Sequence, residues 1–279
     1  MIEGISKAAE MSMPRKPDDY EDFDGFLICG NCHTRKQTEI TINGEKHRVY
    51  CMCKCQEEAK EAEDRKRWEA RHKELIERMR DEAFETDNLK TWTVENADED
   101  VADLMEIVKD YTEHFDEMKK GKRGLIFYGD VGVGKSYAAA CIVNRLIDKG
   151  IRCKMTSISA IVSEMESYKA ERQAIIRELD DYELLVLDDI GAERSSDYMQ
   201  SKMFDIIDAR AKSGKPLICT TNLSERDIKK ERGLAGERIF SRILEMCVPV
   251  KVEGVNRRRT IAENDNNWIK RMFHWKGVS

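Results

Sequence analysis

Long apolar runs are missing from this 279-residue chain, and none approaches the roughly 20 residues that a membrane-spanning helix requires. The opening stretch MIEGISKAAEMSMPRKPDDYEDFDGF also lacks the apolar segment of a secretory leader. The two absences set membrane and secreted classes aside, and a soluble, cytoplasmic protein is expected. A positive charge balance is lacking as well. Lys and Arg number 48 against 54 Asp and Glu, a formal net charge of −6, so any contact with nucleic acid has to come from a local basic patch. Internal repeats and low-complexity segments are absent. What the chain has in plenty is charge, at 37% of residues against about a quarter in ordinary proteins, which calls for long, solvated helices. A hydrophobic share of 41% suffices for one substantial core and something smaller.

The nine cysteines are unevenly spread. Cys29, Cys32, Cys51, Cys53 and Cys55 fall within 27 positions, whereas Cys141, Cys153, Cys219 and Cys247 are scattered through apolar segments. In a reducing compartment a cluster reads as metal ligands and isolated cysteines as small core residues. Cys29-x-x-Cys32 forms half of a zinc knuckle. The stretch TEITINGEKHRVY alternates like two strands turning at Asn43-Gly44, which returns the chain to Cys51-Met52-Cys53-Lys54-Cys55. So small a region needs a metal to fold. The preferred set for tetrahedral Zn²⁺ is Cys29, Cys32, Cys53 and Cys55, with Cys51 as the alternative and His33 and His47 behind. Free thiols and an iron–sulfur cluster are the competing readings. Four protein ligands leave no open position, so the role is structural.

The chain divides into a flexible N-terminus at 1–25, a zinc-binding module at 26–55, a charged connecting helix at 56–83 and a larger domain at 84–279. Within the helix only Trp68, Leu75, Ile76 and Met79 are large and apolar. That narrow stripe suits either a solvated spacer or a partner-binding helix. Beyond residue 84 short apolar runs alternate with helical periodicity: GLIFYG (124–129), CKMTSIS (153–159), LLVLDD (184–189), PLICTTN (216–222) and CVPVKVEG (247–254). The pattern predicts an α/β domain with a buried parallel sheet flanked by helices.

Residues 129–136 fit G-x-x-x-x-G-K-[ST], between an apolar strand and a helix. Backbone N–H groups of Gly129, Asp130, Val131, Gly132, Val133 and Gly134 would wrap the phosphates of ATP, and the helix N-terminus, with Tyr137 in its first turn, adds positive potential. Lys135 would reach the β- and γ-phosphates and Ser136 would bind Mg²⁺. The strand LLVLDD delivers Asp188 and Asp189 to its carboxyl end beside this loop. One carboxylate would hold Mg²⁺, and Asp189 would polarise the attacking water, alone or with Glu193. Thr220, Thr221 and Asn222 end the next strand, with Asn222 foremost as a γ-phosphate sensor. The segment ERIFSRILEMC sets Arg238 and Arg242 on one helical face, opposite Ile239, Ile243 and Leu244. By itself this is an amphipathic helix with two solvated charges.

In this order and spacing, GDVGVGKS, LLVLDDIGAER, TTN, ERIFSRILEMC and GVNRR resemble the AAA+ ATPases of the DnaC/DnaI helicase-loader type over about residues 120–260. The cysteine-bearing front end resembles the zinc-binding region of many phage and bacterial members. The resemblance implies a P-loop AAA+ core that uses ATP and Mg²⁺ and lacks a helical lid domain, since 25 residues follow Gly254. It implies an ATPase that escorts a replicative hexameric helicase onto single-stranded DNA and self-associates into a ring or spiral. The N-terminal region would bind the helicase and the AAA+ region DNA. Arg242, then Arg238, would reach a neighbour's γ-phosphate, Arg258 would replace the lid arginine, and Arg257 and Arg259 would be available to phosphate. Trp92 would lie near the adenine. Trp268, Ile269, Met272 and Phe273 of the tail would dock on the core. Two other outcomes are a transposition accessory ATPase, which usually lacks the zinc module, and a nucleotide-gated binding module with little turnover.

Overall fold

The computed structural model describes residues 15–167, 172–191, 197–229, 233–260, 268 and 272. The chain forms two compact units, Met1–Glu74 and Leu75–Ser279.

In the first unit, β1 (Tyr20–Glu21) pairs antiparallel with β2 (Leu27–Ile28), and β3 (Gln37–Ile42) with β4 (Glu45–Tyr50). Asn43 and Gly44 both adopt positive φ, 53° and 87°, as the expected two-residue hairpin turn requires. Most of this hairpin is exposed on both faces, so it brings little core of its own. Buried Phe26, Leu27 and Ile28 and polar fixtures add order. Lys36 Nζ and Asp19 Oδ2 form an ion pair at 2.6 Å with both side chains 1% exposed. The Phe26 ring lies between the guanidinium groups of Arg35 and Arg48, each 4.3 Å from its centroid. Residues 15–25, expected as part of a flexible lead-in, include β1 and Asp19 and are therefore bonded to the cysteine-bearing segment. α1 (Lys54–Ala83) begins in this unit.

The second unit is the expected α/β layer structure. After the end of α1 come α2 (Ala102–Glu113), α3 (Phe115–Lys120), β5 (Gly124–Tyr128), α4 (Lys135–Asp148), β6 (Cys153–Ser157), α5 (Ile158–Ser167) and α6 (Arg172–Asp181). β7 (Leu184–Asp188), α7 (Asp197–Ser213), β8 (Leu217–Thr221), α8 (Glu225–Lys229), α9 (Gly233–Met246) and β9 (Cys247–Lys251) follow. All five sequence-expected strands pair in parallel, in the order β6-β7-β8-β5-β9. Alternate residues of each strand face opposite layers. Leu125, Phe127, Val186 and Ile218 pack with α2, α4 and Ile76, Met79 and Ala83 of α1. Ile126, Leu185, Leu187, Leu217 and Cys219 pack with α5, α6, α7 and α9. The four dispersed cysteines are buried in this core, as their apolar surroundings suggest.

β8 lies between β5 and β7, so the Asp188 strand is not the immediate neighbour of the P-loop strand. Trp268 and Met272 are 58% and 60% exposed, so the docking expected of the tail does not involve these two. Helical periodicity can align apolar residues without supplying a surface to cover them. Ile269 and Phe273 lie outside the described residues. No described helix is long and apolar enough to cross a membrane.

Candidate nucleotide and metal sites

The P-loop leaves β5 at Gly129 and enters α4 at Lys135, with Gly134 as its N-cap at φ +103°. Two glycines are needed for space as well as for backbone angle. A Cβ on Gly129 (φ +145°) would lie 2.2 Å from the Val252 carbonyl oxygen, and one on Gly132 (φ +83°) 2.2 Å from Asn256 Oδ1. The loop is thus wedged between α4 and the chain leaving β9, with the free N–H groups of the α4 N-terminus turned toward it. Val133 is buried beneath it and Val131 is half exposed at its crest. Lys135 is 6% exposed, and its ammonium donates to the carbonyls of Gly129 at 2.9 Å and Asp130 at 2.5 Å. Burial lowers its pKa, while Asp189, Asp130 and Asp188 act in the opposite direction.

Around this lysine a cavity of about 340 Å³ is lined by Gly132, Gly134, Ser136, Tyr137, Asp188, Asp189, Thr220, Asn222 and Arg258, among others. Because β8 separates the P-loop strand from the acidic strand, its tip ties the two carboxylates together. Thr220 Oγ1 donates to Asp188 Oδ1 at 2.5 Å and accepts the Asp189 N–H at 2.8 Å. Asn222 Nδ2 donates to Asp189 Oδ1 at 2.7 Å. Asp189 sits at φ +55°, a left-handed conformation that Asp tolerates better than most residues. It turns the chain sharply after β7, and Ile190 N–H returns to the Thr220 carbonyl at 2.8 Å. Glu193 lies outside the described residues.

Trp92 lines the same cavity, its ring 5.3 Å from that of Tyr137 between centroids. The Tyr137 hydroxyl donates to the Thr93 carbonyl at 2.8 Å, which anchors this wall. Arg257 and Arg258 both line the cavity. The Arg257 guanidinium pairs with Asp98 and Asp100, and its backbone N–H donates to the Gly132 carbonyl at 3.0 Å.

Arg238 and Arg242 are elsewhere. They lie with Phe204, Glu237, Ser241 and Glu245 on a separate open surface. Arg242 bonds Glu245 Oε2 at 2.8 Å and approaches Asp208 Oδ1 at 3.5 Å. Arg258 therefore belongs to the pocket of its own chain and the α9 arginines do not.

In the first unit the sulfurs of Cys29, Cys32, Cys53 and Cys55 all lie within 4.8 Å of one another, with Cys29–Cys55 at 3.5 Å and Cys53–Cys55 at 3.4 Å. Thiolates bound to Zn²⁺ at about 2.3 Å are about 3.8 Å apart, so the four fit a tetrahedral ion. Backbone N–H groups of Cys32 and Asn31 hold the Cys29 thiol below its ordinary pKa. The Thr34 hydroxyl, 3.0 Å from Cys32 Sγ, and the Cys55 N–H bring Cys32 down to about 5. Such donors favour thiolate and orient ligands. Cys51 is outside this set, its sulfur donating to the Arg35 carbonyl at 3.6 Å. His33 Nδ1 contacts the Tyr20 hydroxyl at 3.2 Å.

Two fixtures carried no sequence signal. One is the Lys36–Asp19 pair. The other is Arg210 of α7, 2% exposed, which donates to the carbonyls of Pro216, Tyr182 and Glu183 at 2.9–3.1 Å. It holds the approaches to β7 and β8.

Comparison with known proteins places these features among relatives. The family described as IstB-like ATP binding protein matches residues 97–263. The replicative helicase loader DnaI of Bacillus subtilis (strain 168) is 29% identical over 168 residues, which cover 56% of this chain and 53% of that protein. The replicative helicase loader DnaC of Escherichia coli (strain K12) is 31% identical over 140 residues, 48% of this chain and 54% of that protein. The crystal structure of DnaI superposes with a TM-score of 0.53 at 20% identity, over 64% of this chain and 99% of that one. The chain spans about half the length of the curated relatives it matches, and the structural likeness establishes the fold alone.

Proposed function

The chain belongs to the IstB-like ATP-binding protein family, and from that membership we propose that it is an ATP-dependent loader of a replicative hexameric helicase onto single-stranded DNA. The observation that carries this reading is the acidic strand end, tied by Thr220 and Asn222, opposite Lys135 in one cavity. A pocket built only to hold ATP does not need a carboxylate fixed by its neighbour at the γ-phosphate end.

The P-loop N–H groups and Lys135 bind the phosphates, and Ser136 with Asp188 would hold Mg²⁺, which neutralises phosphate charge when bound. Asp189, oriented by Asn222, accepts a proton from the attacking water. Asn222 then senses whether the γ-phosphate is present. Arg258 stabilises charge from within the chain. Arg242, with Arg238 second, does so for a neighbouring copy in a ring or spiral, which agrees with their distance from their own pocket. An arginine supplied in this way accelerates phosphoryl transfer by about 10³–10⁵ in other NTPases. The cysteine module, folded by Zn²⁺, supplies the helicase-binding end. The names of the two loader relatives support the choice of partner.

Co-migration of the full chain with a replicative helicase in size-exclusion chromatography tests the reading. A complex is expected. A transposition accessory ATPase would form none, and a non-hydrolysing binding module would form one without ATP turnover.

A further inference from the structure

The helix α1 carries a cationic island with an uncovered tryptophan at its centre. Residues 65–73, RKRWEARHK, hold Arg65, Lys66, Arg67, Arg71 and Lys73 against the single acid Glu69. The preceding residues 57–64 hold five acids and one lysine, so the island is a local reversal of sign in a chain of net charge −6. Trp68 remains 63% exposed. The His72 ring, one turn on, stacks against it at 4.9 Å between centroids and 6° between planes. One indole face is thus held by a parallel ring while the rest of the indole meets water. Asp64, Arg65, Arg67 and Arg71 border Trp68 in an open surface depression.

Leaving a tryptophan in water forgoes the favourable burial of a large apolar ring. Exposed aromatic faces between guanidinium groups suit a ligand with alternating flat apolar rings and anionic links. An acidic peptide would pair with the arginines but would not use the stacked indole–imidazole platform. We propose that Trp68 and His72, with Arg65 and Arg71, form a stacking site for single-stranded nucleic acid on α1, outside the ATPase core. A base stacks on the open indole face while the two arginines, three residues before and after Trp68 on the same helical face, contact the flanking phosphates. The inference rests on the loader reading only for why a single strand is at hand.

The test is fluorescence anisotropy of a labelled oligothymidylate with the full-length, zinc-loaded chain. Trp68→Ala should weaken binding by at least about fivefold, the size of one lost base–aromatic stack, while Trp68→Phe should stay close to the wild type. An abasic oligomer of equal length should bind wild type and Trp68→Ala alike, because only phosphates remain to be contacted. Arg65→Gln with Arg71→Gln should reduce the slope of log affinity against log salt by about 1.4, for two phosphates on a single strand. Unchanged oligothymidylate affinity in Trp68→Ala overturns the proposal, and so does an equal loss on the abasic strand. Loss of helicase co-migration with unchanged oligonucleotide binding also overturns it, by making the face a protein-docking surface. Conversely, Trp68-dependent binding without any helicase complex leaves the site standing and removes the loader reading.

Discussion

Thr220 braces the acidic strand end of the nucleotide pocket, donating its hydroxyl proton to the Asp188 carboxylate and accepting the backbone N–H of Asp189. Thr220→Val keeps the shape and removes both bonds. ATP turnover should fall by about tenfold or more, within the range for a misplaced general base, while nucleotide affinity stays within about threefold because Lys135 and the loop are untouched. Steady-state hydrolysis and equilibrium binding of a fluorescent ATP analogue separate the two. The arginines of α9 make a different demand. Arg242 is 42% exposed at its side chain and pairs with Glu245 and Asp208. If it serves a neighbouring site, mixing Arg242→Ala chains with Lys135→Ala chains should recover ATPase activity that neither has alone. No recovery at any ratio would remove the role in trans.

Among the elements, β7 and β8 depend on a side chain from the helix between them. Arg210 is buried and its pKa drawn down to about 10 by that burial, yet it donates to the carbonyls of Tyr182, Glu183 and Pro216. Arg210→Met should cost about 3 kcal/mol, the penalty of leaving buried carbonyls unmatched, measured as a loss of thermal stability by calorimetry. Nothing in the sequence marks Arg210, because its hydrogen-bond partners are backbone carbonyls up to 31 residues away. The five strands were legible for the opposite reason: each is a short aliphatic run between turn signals, and each is found within two or three residues of its expected limits. The P-loop was legible because its chemistry is local. The lateral order of strands was not, since periodicity says which face is buried and nothing about which strand lies alongside. Placing β8 between the loop strand and the acidic strand is what brings Thr220 into the site, where it braces the acidic strand end that the sequence offered only as a neighbour of the sensor candidate Asn222. The arginines of α9 show the same limit, for their distance from the pocket of their own chain depends on tertiary placement.

For the whole molecule, the two units have different sources of order. The larger has a two-sided apolar core. The smaller relies on an exposed hairpin, one buried ion pair and four converging thiols. Purified protein should carry about one equivalent of zinc, and a strong chelator should unfold the hairpin unit, seen as lost dispersion of its NMR signals. The larger unit should keep its cooperative thermal transition. Less than about half an equivalent would count against a four-thiolate site. The central claim, that this pocket powers the placement of a helicase on DNA, is tested most directly on closed circular single-stranded DNA, where a hexamer cannot thread over an end. With this protein and ATP, a replicative helicase should be retained on the circles, and the Lys135→Ala chain should fail to retain it. Equal retention without the protein, or with Lys135→Ala, would contradict the account.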